Sequence, residues 1–269
     1  MSNELPKLPS TISYSGLSNF DLCPKYFELV NVKKLKAFED NANTVFGKYI
    51  HKYCQELLQD KISENDAVLA FKRRWKCFVG LYKQKEFETY ITSGENIIRA
   101  IKGVLTQTFG IFKVLHVELR LSAPSGIRFS QKFKGFVDLV LELESGDRVI
   151  ADLKTAESAY FFNKYRDVVK DRQLILYKYF YCQEEKSDLD KIETYFFVLE
   201  KNPKSKNPVS VLRVTSGKVK IKNCMEWLDK ILSAVNREKF PKNRLSCRKF
   251  GDKYPCYFLD TECSKLKLL

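Results

Sequence analysis

The apolar residues of this chain recur at helical spacing through its first 110 residues and at strand spacing after Lys113, and this change restricts the fold more than any other feature. Leu17, Phe20, Phe27 and Val30 form one stripe over 17–30. Phe46, Ile50, Tyr53, Cys54 and Leu57 form another over 44–60, and 66–85 and 95–109 are further helical segments. After Lys113 the runs KVLHVELRL, KFKGFVDLVLEL and RVIADLKT alternate or stay apolar, and Ser145-Gly146-Asp147 joins the second to the third as in a hairpin. A helical pattern over 169–184 follows, then a buried strand IETYFFVLE, an edge strand VSVLRV and an amphipathic helix over 219–238 built on Ile221, Trp227, Leu228, Ile231 and Val235. This order predicts an α/β fold, a mixed central sheet flanked by helices.

Two hundred and sixty-nine residues that are 44% hydrophobic, with 11 Gly and 8 Pro, exclude a disordered or collagen-like chain. No repeat or long linker divides them. One domain over 1–269 is expected, with a helical part at 1–110, an α/β core at 111–200 and a basic, cysteine-rich part at 201–269. No apolar run reaches the ~18 to 20 residues of a membrane span, and MSNELPKLPS has no apolar leader core. A cytoplasmic protein without a membrane partner is expected, its eight cysteines serving as thiols or metal ligands rather than disulfides.

Forty-seven Lys and Arg against 33 Asp and Glu leave a net charge of +14, which favours a polyanionic partner, foremost nucleic acid. Half of that surplus lies in one acid-free segment, on Lys201, Lys204, Lys206, Arg213, Lys218, Lys220 and Lys222. The segment fits a solvated loop and strand edge, and it equally fits a track for phosphates.

Chemistry is concentrated on the strands. Asp152 and Lys154, two residues apart, point to the same face, and the hairpin can bring Asp138 beside Asp152. Two crowded carboxylates repel unless a cation lies between them, and hard Mg²⁺ or Mn²⁺ prefers such oxygen ligands. Each residue alone also fits an ordinary solvent-facing position; their company carries the weight. Gly47-Lys-Tyr-Ile-His51 lies on an early helix, Glu118 in the first long strand, and Gly135-Phe-Val-Asp138, Asp152-Leu-Lys154 and Gln173-Leu-Ile-Leu-Tyr177 follow in order.

That series resembles the RecB-like branch of the PD-(D/E)XK nuclease superfamily over about residues 17–200, with motifs G-x-x-x-H, G-x-x-D, D/E-x-K and Q-x-x-x-Y. Val137 stands where the superfamily's nominal motif has Pro. The resemblance implies a restriction-endonuclease-like core. It makes Asp138, Asp152, His51 and the Leu153 carbonyl ligands of a catalytic metal, and Lys154 the group that orients or deprotonates the attacking water. Glu118 would serve a second metal or a water, and Gln173 and Tyr177 would contact the nucleotide or the water. The activity implied is a metal-dependent DNA exonuclease acting on single strands or ends. A nuclease-fold DNA-binding or scaffolding protein without turnover and a structure-selective endonuclease stand as alternatives.

Three of the eight cysteines, Cys247, Cys256 and Cys263, fall in the last 23 residues. With Cys23 they resemble the iron–sulfur nucleases of the same branch, the CRISPR-associated RecB-like exonucleases and AddB-type helicase nucleases. The resemblance implies a [4Fe-4S] cluster tying the chain ends together; structural Zn²⁺ on the same sulfurs is the alternative. Eight and six residues separate the late cysteines here, where the family has two and about five. Tyr254-Pro255-Cys256 is read as the turn of this site, and Cys54, Cys77, Cys182 and Cys224 as core residues. No ATP-binding motif is present, so a motor for recombination or CRISPR adaptation would be a separate helicase partner.

Overall fold

The computed structural model describes residues 8–37, 41–79, 83–126, 128–166, 168–248 and 256–263. A short strand β1 (Thr11–Ile12) leads into α1 (Tyr14–Leu22), where the Ser13 side chain accepts from the Gly16 N–H. The single helix expected over 17–30 is divided at Cys23, which is extended (φ −160°, ψ 110°) because Pro24 crowds the helical conformation of the residue before it. The chain resumes as α2 (Pro24–Phe27) and a π-helical turn over Glu28–Val32.

Asn41 caps α3 (Ala42–Leu58), and Ser63 caps α4 (Glu64–Lys76), whose acids lie in its first turn and whose bases lie in its last. The long α5 (Gln84–Phe109) stops at Gly110, whose φ of 72° is left-handed. Then come β2 (Phe112–Pro124), β3 (Lys132–Leu143), β4 (Arg148–Ala156), α6 (Ala159–Lys164), α7 (Val168–Glu185), β5 (Ile192–Glu200), β6 (Val209–Val214), α8 (Lys218–Asn236) and α9 (Arg244–Arg248). Among the described residues no helix is long and apolar enough to cross a membrane.

Two compact units share the chain, one from Asp40–Leu121 and Phe136–Lys220, the other from Met1–Glu39, Ser122–Gly135 and Ile221–Leu269. In the first, β3, β4, β5 and β6 lie side by side and β2 also pairs with β3. The expected hairpin forms, with Leu139 opposite Ala151 and Leu141 opposite Val149 in antiparallel register. β4 and β5 run parallel over their whole length, and β6 is antiparallel to β5, so the sheet is mixed.

Each face of this sheet has its own cover. Leu139, Leu141, Val149, Ala151, Leu153, Phe197 and Leu199 share one core with Phe46, Ile50, Phe71, Trp75, Ile97 and Ile101 of α3, α4 and α5. Each buried Val, Leu, Ile or Phe among them contributes roughly 1.5–3 kcal/mol. Residues of opposite parity on β4 meet α7: the Arg148 guanidinium donates to the Tyr181 hydroxyl at 2.8 Å. Alternation along β4 therefore keeps aliphatic residues on the α3–α5 face and leaves Asp152 and Lys154 for the other.

The second unit is smaller. β1 pairs in parallel with Lys132 and Phe133 of β3, and Cys23, Tyr26, Leu29, Ala37, Cys256, Phe258 and Cys263 form a compact apolar cluster. Phe20, Phe27 and Phe240 pack ring to ring beside it, with centroids 5.6–6.4 Å apart.

Candidate active site

The sheet and two helices bring most of the motif residues into one place. Asp152, only 3% exposed at its side chain, lies 2.6 Å through Oδ2 from the Lys154 ammonium, which is itself 36% exposed. Its Oδ1 accepts from Gln173 Nε2 at 2.7 Å, and the same nitrogen donates to the Tyr177 hydroxyl at 3.1 Å. Gln173 and Tyr177 are one helical turn apart on α7, so one face of that helix supplies both. From β3, Asp138 Oδ2 accepts the Leu153 N–H at 2.7 Å and lies 3.8 Å from His51 Nδ1. Leu153 thus meets Asp138 through its amide, while its side chain is buried among the aliphatic residues.

Helix α3 approaches from the other side. A Cβ on Gly47 would stand 3.3 Å from Thr155 Oγ1, so the missing side chain lets the helix come close to the residue after Lys154. His51 follows one turn later. One further turn on, Gln55 donates to Glu118 Oε1 at 2.9 Å and to the Asp138 carbonyl at 3.2 Å. Glu118 has a left-handed backbone (φ 51°) within β2, a conformation costing roughly 1–2 kcal/mol for an L-residue. That backbone departs from strand geometry at the residue whose carboxylate meets Gln55.

Burial raises the pKa of Asp138 well above the ordinary carboxylate range, and the Asp152 charge adds to it; the Leu153 N–H and Lys154 only partly offset this. Burial also raises Asp152, against the pull of Lys154. Burial alone would lower Lys154, but the carboxylates of Asp152 and Asp138 hold its pKa above that of an ordinary lysine. Burial first, and then the Lys154 charge, push His51 down to about 4, so its imidazole is neutral at pH 7. The cluster is therefore short of positive charge and offers carboxylate oxygens and a neutral imidazole, a donor set that fits Mg²⁺ or Mn²⁺. Among the described residues no three His, Cys, Asp or Glu side chains converge closely enough to chelate one ion in this geometry.

Sequence reasoning passed over Gln55, Phe136 and Arg166. Gln55 has a signal, its position four residues after His51. Phe136 is exposed on β3 two residues before Asp138, and its backbone N–H bonds to Tyr177. Arg166 bonds Asp171 at 3.0 Å through Nε and lies 5.9 Å from the ring of Phe196, the residue paired with Asp152 in the sheet.

The seven basic residues are dispersed over a loop, an edge strand and the start of α8. Lys201 is mostly buried and bonds Glu157 at 2.7 Å. Arg213 pairs with Glu193, Lys218 with Asp190, and Lys220 with the Thr215 hydroxyl. Lys204, Lys206 and Lys222 are exposed.

In the smaller unit Cys23, Cys247, Cys256 and Cys263 line one recess with Tyr26, Leu29 and Ser246. The extended Cys23 before Pro24 accepts the Asn243 N–H on its sulfur at 3.4 Å, and the Cys256 N–H donates to the Cys247 carbonyl at 2.8 Å. Burial raises the thiols of Cys247, Cys256 and Cys263, and neighbouring cysteines raise them further. Tyr254 and Pro255 lie outside the described residues. Cys54, Cys182 and Cys224 are buried as expected. Cys77 corrects that expectation, because it ends α4 at the surface.

A mixed sheet with helices on both faces and an Asp–Asp–Lys cluster on adjacent strands defines a restriction-endonuclease-like nuclease fold. The chain belongs to the PD-(D/E)XK nuclease superfamily, whose family model matches residues 11–250. A solved protein of Eubacterium rectale named "Putative exonuclease" is similar in fold, with a TM-score of 0.57 at 16% identity over 88% of this chain and 85% of that one. A second solved protein, SSO0001, is 12% identical over 85% of this chain and 90% of its own, with a TM-score of 0.37. Among curated proteins none matches the chain.

Proposed function

We propose that this chain is a metal-dependent DNA exonuclease of the RecB-like branch, acting on single-stranded DNA or DNA ends. The observation that carries the reading is the joining of Asp138, Asp152, Lys154 and Gln173 in one bonded cluster. Asp138, Asp152, His51 and the Leu153 carbonyl would hold Mg²⁺ or Mn²⁺, which when bound supplies Lewis acidity and an acidified water. Gln173 fixes the Asp152 carboxylate. Tyr177, bonded to Gln173, holds that amide in place. Lys154 would orient or deprotonate the attacking water and offset charge on the phosphate. Glu118, held by Gln55, is placed for a second water or ion. Lys204, Lys206 and Lys222 are the basic residues best exposed to take phosphates, with Lys201, Arg213, Lys218 and Lys220 first leaving their present partners.

For the cysteines, the recess lined by Cys23, Cys247, Cys256 and Cys263 supports a [4Fe-4S] cluster, with structural Zn²⁺ as the competing occupant. Loading would draw the four sulfurs together as thiolates bound to metal. DNA is the partner this reading requires, and a helicase of recombination or CRISPR adaptation would supply any motor.

The test is degradation of linear and circular single-stranded DNA with Mn²⁺ by the wild type, Asp152→Ala and Lys154→Ala. The proposal expects loss of linear strands only, and only with the wild type. Cutting of circles would make the enzyme an endonuclease, and no cutting of either substrate would leave a binding or scaffolding protein.

A further inference from the structure

The segment that follows the catalytic strand carries exposed aromatic rings that the core does not use. Among the described residues eleven large hydrophobics are exposed, and four of them, Tyr160, Phe161, Tyr165 and Val168, fall within nine residues on and after α6. The rings are well exposed, at 65%, 52% and 63% for Tyr160, Phe161 and Tyr165. They are also ordered against one another. Phe161 and Tyr165 stack at 6.2 Å with 12° between their planes, and Tyr160 meets Phe161 edge-on at 5.3 Å.

α6 is fixed to the sheet by other residues. The Ala159 N–H donates to the buried Glu200 carboxylate at 2.7 Å, and Phe162 packs edge-on against Phe196 at 5.4 Å. Phe196 is the sheet partner of Asp152, so α6 is anchored on the site's own face by its inner ring while the outer rings face water. Scattered exposed apolar residues need no explanation, but a contiguous aromatic group beside a site does.

A cation points to its occupant. The Lys164 ammonium lies 5.9 Å from the Tyr160 ring and 5.5 Å from the Tyr165 ring, so one positive charge sits between two of the π-faces. Flat apolar faces interleaved with positive charge match the bases and phosphates of an unpaired strand, whereas a duplex hides its base faces. Tyr160 is six residues beyond Lys154, which limits their separation to about 21 Å.

We propose that Tyr160, Phe161 and Tyr165, with Lys164 among them, form a stacking platform for the bases of single-stranded DNA entering the site. The proposal rests on the nuclease reading and names the substrate feature selected. The test is anisotropy of three labelled ligands in chelator, where no cleavage occurs: a 20-nucleotide oligothymidine, an abasic strand of equal length and a duplex. Tyr160→Ala/Phe161→Ala/Tyr165→Ala should weaken oligothymidine binding about tenfold or more, as expected for lost stacking, and leave the abasic strand and duplex unchanged. In a separate Phe161→Trp variant, oligothymidine should quench the new tryptophan's emission and the abasic strand should not.

Unchanged oligothymidine affinity with no quenching would overturn the proposal, as would an equal loss for all three ligands; the first is also the result expected of a platform that docks protein. Because binding is read without metal, a wild type that selects bases but never degrades DNA would overturn the nuclease reading and leave the platform standing.

Discussion

Burial favours the neutral acid at both Asp138 and Asp152; at Asp138 the Asp152 charge adds to it, and at Asp152 the Lys154 charge opposes it. The consequence for Asp138 has a definite sign. An unfolded Asp titrates near ~3.9, and the folded value is higher, so the native state retains a proton that the unfolded chain releases. Stability is therefore lost as pH rises from about 4 through the folded pKa. Asp138→Asn, which can still accept the Leu153 N–H, is expected to melt higher than the wild type at pH 7 in chelator, the gap closing toward pH ~4. Mn²⁺ should then raise the wild-type Tm and leave the variant unmoved; thermal melts with and without metal check both statements. Asp138, Asp152 and Lys154 were legible in the sequence because strand alternation and a short hairpin turn place residues with little ambiguity. The left-handed backbone of Glu118 was not, since nothing in the run VLHVELRL marks where a strand departs from its own geometry.

At the scale of elements, α3 is the device that joins helix to sheet. Gly47, His51 and Gln55 recur every four residues along one face, the first allowing close approach, the second facing Asp138 and the third bonding Glu118 and the Asp138 backbone. Gln55→Ala removes the donor to the solvent-exposed Glu118 carboxylate and to the Asp138 carbonyl, and should lower stability by roughly 0.5–1.5 kcal/mol. Urea unfolding reads that loss, and an unchanged midpoint would remove Gln55 from the site's support. The sequence foretold α3, α7 and α8 nearly to their ends, whereas the helix expected over 66–85 already ends at Lys76 in α4 and the one expected over 95–109 already begins at Gln84 in α5. It did not foretell α6, whose six residues carry aromatics on both its inner and outer sides and so show no amphipathic period. Nor did it foretell the division at Cys23, although Pro24 is its physical cause.

At the scale of the molecule, the chain divides its chemistry between two compact units, carboxylates in one and clustered cysteines in the other. The composition of the cysteine unit was only partly legible: clustered late cysteines pointed to Cys23, but nothing local ties residues 122–135 to either terminus. Anaerobically purified protein is expected to absorb broadly near ~400 nm and to lose that band in Cys247→Ala, as thiolate-bound iron–sulfur does. Colourless protein with stoichiometric zinc would replace the cluster with a zinc site. The net charge of +14 now divides into cations that are ion-paired or inward, such as Lys201 and Arg213, and exposed ones, such as Lys204 and Lys206. The central claim is that Asp138, Asp152 and Lys154 hydrolyse phosphodiester bonds from DNA ends with a divalent cation, and nucleotide release from end-labelled linear single-stranded DNA measures it most directly. Release that requires Mn²⁺ or Mg²⁺, vanishes in Asp152→Ala and Lys154→Ala and spares circular strands is the predicted result; release by either variant equal to the wild type would contradict it.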